Sequence, residues 1–338
     1  MNALTRDLIK LVDMTEEMMK EKEQKEGAGY REKLHLMPPV GWLNDPNGLC
    51  QLNGIYHAFF QYSPFNAEGG VKMWGHYTSE DMIDWEYQGV KLYPDQPFDC
   101  HGVYSGSAFI EDDKMYVYYT GNVKLEDGDF DYINTGRESN TVLVVSEDGK
   151  TFGSKKELMR NVDYPSDLTC HVRDPKVWKD GDSYYMMMGS SYHDAGRVLF
   201  YTSKDGENWT YANQCRPESY GWTIECPDLF SQNDQWIFIG CPMRLTPGEK
   251  KYPDQAVWAL AEFDPKTCEL KLPDTHSYVD YGLDLYAPQT TLDAEGRRVM
   301  ISWMRMPMAV TDSTDRPAWN GMMSSARVVE EKEGHLYF

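Results

Sequence analysis

The chain has 338 residues, enough for one large domain or two smaller ones with a sizeable buried core. Its formal net charge of −21 at pH 7 repels phosphate backbones and anionic lipid, which argues against nucleic-acid and membrane partners. The net charge leaves open a local basic pocket, and with it a phosphorylated substrate. Aromatic residues make up 13% of the chain, which favours a β-rich core, with a sugar-stacking surface as the alternative.

Cysteine usage and hydropathy suggest a cytoplasmic protein. The seven cysteines are scattered, form no CxxC motif and are odd in number, which argues against a disulfide framework. No charged segment followed by an apolar run is typical of a signal peptide, and no apolar run is long enough to span a bilayer. A secreted form whose signal has been removed would have the same pattern and remains the alternative.

Residues 5–25 are charged and rich in Met, with Leu8, Leu11, Val12 and Met18 at helical spacing. We expect an amphipathic helix that ends in the glycine-containing segment 27–29. This divides the chain into a helical extension, 1–29, and a main domain, 30–338. The helix could pack on the main domain or on a second subunit, so a homo-oligomer is possible.

Five later segments share one plan, in which a strand, a short polar turn and an apolar or aromatic strand follow each other. Each segment is typical of a β-hairpin. The five turns are Asn53-Gly54, Asp112-Asp113-Lys114, Asp180-Gly181-Asp182, Gln232-Asn233-Asp234 and Ala294-Glu295-Gly296.

A second repeat follows the first three hairpins, with a Ser-x-Asp motif and an aromatic residue at constant spacing. A degenerate fourth copy lies at Phe263-Asp264-Pro265. An inner and an outer hairpin repeated in this way predict an all-β, five-bladed β-propeller, and a β-sandwich or a solenoid is the alternative. The three copies are Ser79-x-Asp81 with Trp85, Ser146-x-Asp148 with Phe152, and Ser203-x-Asp205 with Trp209.

Polar motifs unusual for strands precede the inner turns by about eight residues in the first four repeats and by slightly more in the fifth. If the innermost strands run parallel to the propeller axis, all five motifs meet at one mouth of the central channel. The motifs are Asn44-Asp45-Pro46, Tyr104-Ser105-Gly106, Arg173-Asp174-Pro175, Glu225-Cys226-Pro227 and Tyr286-Ala287-Pro288-Gln289.

Three carboxylates are expected at this mouth, from Asp45, Asp174 and Glu225. Glycoside cleavage needs two carboxyl groups in different protonation states, and a cluster of acids provides them because like charges raise one another's pKa. We expect the positive charge of Arg173 to keep Asp174 ionised. Taken singly, each acidic motif is more typical of a turn or an ion pair, and their recurrence at equivalent positions favours a site.

The same motifs resemble the signature of glycoside hydrolase family 32, which includes invertases, inulinases, levanases and sucrose-6-phosphate hydrolases. The resemblance runs in order from about residue 30 to 327 and is carried by the segments 42–48, 74–81, 105–108, 173–175, 225–228, 286–289 and 321–323.

This resemblance implies a retaining enzyme that cleaves terminal β-D-fructofuranosyl bonds through a fructosyl-enzyme intermediate. It implies that Asp45 is the nucleophile, Glu225 the acid/base and Asp174 the transition-state stabiliser. By the same resemblance, the fructose subsite is lined by Asn44, Gln61, Trp74, Ser105 and Arg173.

The sequence departs from the family pattern at three places. Tyr104 stands where Phe is usual, and Ile224 where an aromatic residue is common. The C-terminal β-sandwich usual in the family is expected to be absent, because the sequence given ends at Phe338. The surface that this sandwich normally covers, like the N-terminal helix, could then form a contact between subunits.

Three other functions fit the sequence less well. A fructosyltransferase would use the same intermediate, a non-hydrolytic fructan-binding propeller would lack a catalytic carboxylate, and an arabinan- or xylan-acting enzyme could share the five-bladed fold. The eight dispersed His residues predict no metal site, and the absence of a glycine-rich phosphate loop predicts no nucleotide cofactor. The expected partner is a small carbohydrate substrate.

Overall fold

The structure is a computed structural model that describes residues 2–26, 31–245, 253–282, 284–306 and 319–338. In these ranges it contains one α-helix, one short 3-10 turn and twenty-four strands. The five expected inner hairpins are confirmed, since each predicted turn joins two paired antiparallel strands.

The first three blades are four-stranded antiparallel sheets. Blade I contains β1 (Gly41–Leu52), β2 (Ile55–Ser63), β3 (Met73–Ser79) and β4 (Glu86–Leu92). Blade II contains β5 (Val103–Glu111), β6 (Lys114–Lys124), β7 (Arg137–Ser146) and β8 (Lys156–Met159), with the 3-10 turn Asn161–Asp163 after it. Blade III contains β9 (Arg173–Asp180), β10 (Ser183–Tyr192), β11 (Ala195–Ser203) and β12 (Thr210–Cys215).

The last two blades are less regular. Blade IV contains β13 (Thr223–Gln232), β14 (Gln235–Met243), β15 (Val257–Asp264), β16 (Glu269–Lys271) and β17 (Ser277–Tyr278). Blade V contains β18 (Leu285–Leu292), β19 (Arg298–Met304), β21 (Met322–Met323) and β22 (Arg327–Val328). β20 (Trp319–Asn320), which lies between β19 and β21 in sequence, pairs in parallel with β1 of blade I. A final hairpin is formed by β23 (Glu330–Lys332) and β24 (His335–Tyr337).

The innermost strands β1, β5, β9, β13 and β18 contact each other in that order, and β18 also contacts β1. The blades therefore form a closed ring, and the predicted five-bladed propeller is confirmed. Five apolar clusters fill the interfaces between neighbouring blades, where burial of large side chains is the main stabilising contribution. One pair of fully buried residues represents each interface: Trp74 with Tyr119, Leu143 with Met186, Phe200 with Phe238, Ile237 with Met300, and Phe60 with Ile301.

The Ser-x-Asp motifs form the predicted outer turns. The Asp81 carboxylate accepts the backbone N–H groups of Ile83 and Asp84, both at 2.8 Å, in the connection from β3 to β4. Asp148 and Asp205 accept equivalent N–H groups in the next two blades. These are Asx-type turns, in which the side chain replaces a backbone acceptor.

The predicted N-terminal helix is confirmed as α1 (Ala3–Glu26). It packs on blade I through Val12, which is buried against Met73 and Tyr93. The helical face was predicted only in part, because Leu11 and Met18 are exposed. The expected end of the helix at 27–29 lies outside the described residues. Where the structure describes the chain, it contains no helix long and apolar enough to cross a membrane.

Candidate active site

All five innermost strands carry a β-bulge at the motif that the sequence placed at the channel mouth. In each case the inner strand contains one residue more than its partner over the same stretch. On β13, for example, Glu225 and Asp228 are three residues apart, and the residues that pair with them on β14, Cys241 and Ile239, are two apart. A bulge leaves one residue unpaired and redirects nearby side chains, so the repeated bulge turns each motif away from regular pairing.

Proline follows the bulged residue in four of the five strands, where no ladder hydrogen bond is needed from its nitrogen. In three of these strands the residue before the proline has a left-handed backbone: φ is 60° at Asp174, 44° at Cys226 and 47° at Ala287. Non-glycine residues in this region are strained, and such strain is found mostly where the surrounding structure fixes a functional geometry.

Asp45, on β1, is held by a residue of the neighbouring blade. Its Oδ2 accepts a hydrogen bond of 2.6 Å from the Ser105 hydroxyl, which in turn accepts one of 2.6 Å from Gln61 Nε2. Asn44 donates to Gln61 Oε1 at 3.3 Å and accepts the indole N–H of Trp42 at 2.8 Å. Predicted subsite residues therefore form one continuous hydrogen-bond chain.

Burial raises the pKa of the Asp45 carboxyl, the Ser105 hydrogen bond lowers it, and the nearby charge of Glu225 raises it. The effect of the Glu225 charge on Asp45 shows that two predicted catalytic carboxyl groups, from blades I and IV, lie in one electrostatic environment. The thiol of Cys226, which is adjacent to Glu225 in sequence, also approaches Asp45 Oδ2, at 3.8 Å.

The two carboxylate oxygens of Glu225 have different partners. Oε1 accepts a hydrogen bond of 2.8 Å from Arg173 NH2, which forms an ion pair, and Oε2 accepts one of 2.9 Å from the Tyr286 hydroxyl. Arg173 comes from blade III and Tyr286 from blade V. Glu225 is thus oriented by the blades on both sides of its own.

Asp174 Oδ2 accepts the backbone N–H of Cys226 at 2.8 Å, and its own N–H donates to Thr120 at 3.0 Å. Burial raises the pKa of Asp174 to about 7, although the positive charge of Arg173 lowers it. Desolvation thus outweighs the attraction of Arg173, whose guanidinium pairs with Glu225, and the expectation that Arg173 keeps Asp174 ionised stays a prediction.

Trp74 was expected to line the fructose subsite, but the structure places it elsewhere. Its side chain is fully buried between blades I and II, and its indole N–H donates to the Tyr104 carbonyl at 3.1 Å. The ring therefore supports the strand that carries Ser105 from behind, and it does not face the pocket. Ile224 is also fully buried, in the interface between blades III and IV.

Sequence reasoning did not single out two further groups near the site. The Lys72 ammonium lies 5.2 Å from the centre of the Trp42 ring; burial lowers its pKa to about 8 and the charge of Asp45 raises it. His171 accepts a hydrogen bond from Arg173 NH1 through Nδ1. Neither residue belongs to a repeated motif, although His171 lies only two positions before Arg173.

A second ion pair lies deeper in the channel, below the bulges. Lys176 Nζ is 3.1 Å from Asp228 Oδ2, which also accepts the Thr290 N–H at 3.0 Å and the Thr290 hydroxyl at 2.8 Å. This cluster joins blades III, IV and V, so it fixes the relative position of three of the five motifs. Within the described ranges, no group of three or more His, Cys, Asp or Glu residues is placed to hold a metal ion.

Comparison with known proteins agrees with this geometry. Residues 35–338 match the glycosyl hydrolases family 32 N-terminal domain. The chain is 36% identical over 301 residues to a sucrose-6-phosphate hydrolase of Bacillus subtilis, covering 86% of this chain and 60% of that protein. It is 37% identical over 310 residues to a raffinose invertase of Escherichia coli, with 89% and 63% covered. The chain thus spans about three fifths of the length of these relatives.

Solved structures show the same architecture. The β-fructofuranosidase of Bombyx mori is 32% identical, with a TM-score of 0.83 over 97% of this chain and 68% of that one. A sucrose-6-phosphate hydrolase of Lactobacillus gasseri is 28% identical, with a TM-score of 0.84 over 96% of this chain and 66% of that one. The fold and the site together define a five-bladed propeller with a cluster of acidic side chains on its innermost strands. The chain belongs to glycoside hydrolase family 32.

Proposed function

We propose that the protein is a retaining glycosidase that cleaves terminal β-D-fructofuranosyl bonds in small sugars. The observation that carries the proposal is the meeting of Asp45 and Glu225, from blades I and IV, in one half-buried site where each is oriented by side chains of other blades. Retaining hydrolysis needs two such carboxyl groups with separate tasks. A binding-only propeller has no use for a second oriented carboxylate.

Asp45 is the nucleophile in this proposal. Its carboxylate attacks the anomeric carbon of the fructosyl unit, and the bond from that carbon to the bridging oxygen breaks. Glu225 gives its proton to the departing oxygen, so the first sugar leaves as a neutral alcohol. Water then attacks the same carbon, Glu225 takes a proton from it, and Asp45 is released.

Hydrogen bonds fix the two catalytic groups and leave Asp174 to hold the substrate. Ser105 holds one oxygen of Asp45, while Arg173 and Tyr286 each hold one oxygen of Glu225. Asp174 is proposed to accept hydrogen bonds from fructose hydroxyl groups. Asn44 and Gln61 are proposed to complete the fructose subsite through the hydrogen-bond chain that ends at Ser105.

We also propose that residues 30–338 form the catalytic propeller and residues 1–29 an extension of it. A reducing, cytoplasmic compartment is supported by the seven cysteines, all of which are free thiols. The similarity to relatives named sucrose-6-phosphate hydrolase supports small sugars as substrates.

The test compares the protein with its Asp45→Asn variant on sucrose, sucrose 6-phosphate and 1-kestose. The proposal expects free fructose with retained anomeric configuration from the parent, and a loss of turnover on the order of 10⁴-fold or more in the variant. Asp234→Asn is the matched control, because Asp234 is exposed in the turn between β13 and β14. Inverted product, or activity retained by Asp45→Asn, would contradict the nucleophile assignment. Fructosyl oligomers as the main product at high sucrose would show a transferase.

A further inference from the structure

The side chain of Lys155 is buried next to two carboxylates. Lys155 lies in the connection from β7 to β8, and only 8% of its side chain is exposed. Its Nζ donates to Asp99 Oδ2 at 2.6 Å and to Asp95 Oδ1 at 2.9 Å, and it also donates to the Tyr93 carbonyl. Asp99 is fully buried. Because a buried carboxylate is costly without a partner, this arrangement depends on the ammonium group of Lys155.

All three partners of Lys155 belong to the linker 93–102, which joins β4 of blade I to β5 of blade II. Asp99 closes a turn within this linker, because its carbonyl accepts the backbone N–H of Gly102 at 2.8 Å. β5 begins directly after the linker and carries Ser105, which holds the proposed nucleophile. The conformation of the linker therefore sets the position at which β5 begins.

The linker also holds the strand that pairs with β5. Ser105 lies in the β-bulge of β5, and the pairs on either side of this bulge are made to Tyr119 and Gly121 of β6. The Tyr119 hydroxyl donates to Asp99 Oδ2 at 2.7 Å. At Gly121 the linker lies so close that a Cβ would be 2.4 Å from the Phe98 carbonyl oxygen and 3.2 Å from the Cβ of Asp99. The linker thus contacts β6 on both sides of the bulge.

The N-terminal helix is bonded to the same linker. Asp95 Oδ2 accepts the Thr5 hydroxyl at 2.5 Å, and the Asp95 carbonyl accepts Nδ2 of Asn2 at 3.1 Å. Asn2 also caps α1, because its Oδ1 accepts the backbone N–H of Thr5 at 2.8 Å. The start of α1 therefore contacts the carboxylate that Lys155 holds from the other side, and both contacts fix the linker.

We propose that Lys155 is a positioning residue for the proposed nucleophile, and that α1 supports it through Asp95. Lys155 holds Asp99, which fixes the strand opposite the bulge of β5. The bulge in turn directs the Ser105 hydroxyl at Asp45. This inference rests on the proposed function, because it concerns how the reacting carboxylate is held.

A small displacement of the bulge acts on the chemistry through one hydrogen bond. The bond from Ser105 to Asp45 is 2.6 Å long and weakens if β5 shifts. Burial raises the pKa of Asp45 and this bond lowers it, so a weaker bond raises that pKa. A misplacement of about 1 Å in an active site costs about 100-fold in rate. Loss of the Lys155 contacts should therefore change kcat and the acidic limb of the pH profile together, which a loss of stability alone does not.

The first experiment compares the kinetics of Lys155→Met and Lys156→Met on sucrose. Lys156 is the matched control, because it is the next residue, its side chain is 56% exposed and it pairs with Glu207 at the surface. We expect Lys155→Met to lower kcat about tenfold and to move the acidic limb of the kcat/KM profile to higher pH, while Lys156→Met matches the parent. In a Ser105→Ala background, Lys155→Met should lower kcat by less than about twofold, because both changes act on one contact.

Thr5→Val tests the same contacts if Lys155→Met does not fold. It removes one hydroxyl from Asp95 and keeps the buried pair of Lys155, so kcat should fall by about 2- to 5-fold and the acidic limb should move in the same direction. Thr5→Ser keeps the hydroxyl and should match the parent. A folded Lys155→Met, or Thr5→Val in its place, with the kcat and acidic limb of the parent would overturn the inference. An equal loss of kcat with and without Ser105 would do the same.

The second experiment measures amide hydrogen exchange of residues 103–107 in the two lysine variants. We expect faster exchange in Lys155→Met than in Lys156→Met, because the strand opposite the bulge loses its support, with exchange of the distant strand β12 unchanged. Equal exchange in both variants would also overturn the inference while leaving the fructosidase function intact. If the parent cleaves no fructoside, the proposed function fails, and the exchange rates still show whether Lys155 holds the bulge.

Discussion

The hydroxyl of Ser105 donates to Oδ2 of Asp45 across the boundary between blades II and I, at 2.6 Å. The donor and the acceptor lie at the same position of two successive β-bulges, one on β5 and one on β1. The repeat geometry of the propeller therefore sets the orientation of the proposed nucleophile.

Ser105→Ala should make hydrolysis more sensitive to acid. The hydrogen bond lowers the pKa of Asp45 by stabilising its ionised form, so its removal raises that pKa. Because the nucleophile reacts as the carboxylate, the acidic limb of the kcat/KM profile should move to higher pH, and kcat should fall by about 10- to 100-fold. A pH series on sucrose for both proteins measures this, and a lower kcat with an unmoved acidic limb would show that Ser105 acts only in packing.

Glu225→Gln should abolish proton transfer to the leaving group while keeping its contacts, because glutamine can still accept from Arg173 and Tyr286. We expect kcat to fall by a factor of about 10² to 10⁴. On a fructoside whose leaving group departs without protonation, such as fructosyl fluoride, added azide should raise turnover and give fructosyl azide, since attack by an anion on the fructosyl-enzyme needs no general base. Activity that azide does not restore, in a protein with an unchanged melting temperature, would argue against Glu225 as the acid/base.

Asp174→Asn should change the pH dependence of stability. Burial raises the pKa of Asp174 from 3.8 to about 7, so between these pH values the folded protein retains a proton that the unfolded chain has lost. The contribution of this group to stability is present at low pH and falls as the pH rises to about 7.

The difference in melting temperature, variant minus parent, should therefore become more positive between about pH 4 and pH 7, by an amount on the order of 5 °C. Asn can still accept the N–H of Cys226, so the bulge is retained. Activity should be lost at every pH. A difference in melting temperature that is constant over this range would show that Asp174 has an ordinary pKa in the folded protein.

Asp228→Ala should be strongly destabilising. It leaves Lys176 buried without its ion-pair partner, and the hydroxyl and N–H of Thr290 without their acceptor. Breaking a buried pair in this way costs about 3–5 kcal/mol. Glu330→Ala is the control, because the pair of Glu330 with Lys332 is exposed and screened by solvent. Denaturant unfolding of the two variants compares them directly, and similar midpoints would contradict the structural role given to Asp228.

The sequence was most informative where a particular residue type is needed for a particular turn geometry. Asn53-Gly54 and the Ser-x-Asp motifs predicted turns correctly, since their side chains or backbone preferences close a turn without distant contacts. Their even spacing was enough to count the blades and to bring Asp45, Asp174 and Glu225 to one mouth.

What the sequence did not predict depends on contacts between distant segments. Arg173 forms its ion pair with Glu225 and not with Asp174, the next residue in the chain. The bulge in β9 sets this pairing, because it points the side chains of Arg173 and Asp174 in different directions. The burial of Trp74 and the exposure of Leu11 follow from which surfaces meet in three dimensions. The proline at four of the five bulges was the available signal, since it excludes regular pairing at that point.

The closing pair of β20 with β1 joins Trp319 to Gly41 and Asn320 to Trp42, so the ring is completed by segments from nearly opposite ends of the sequence. Gln289 likewise reaches the Gly106 carbonyl over 183 positions. Contacts between residues so far apart in sequence form late in folding, because the entropy cost of closing the long loop between them precedes the stabilisation that the contact provides. On the ribosome, the carboxylate of Glu225 therefore has no Tyr286 to orient it until blade V has emerged, and a nascent chain holding four blades lacks part of the candidate active site.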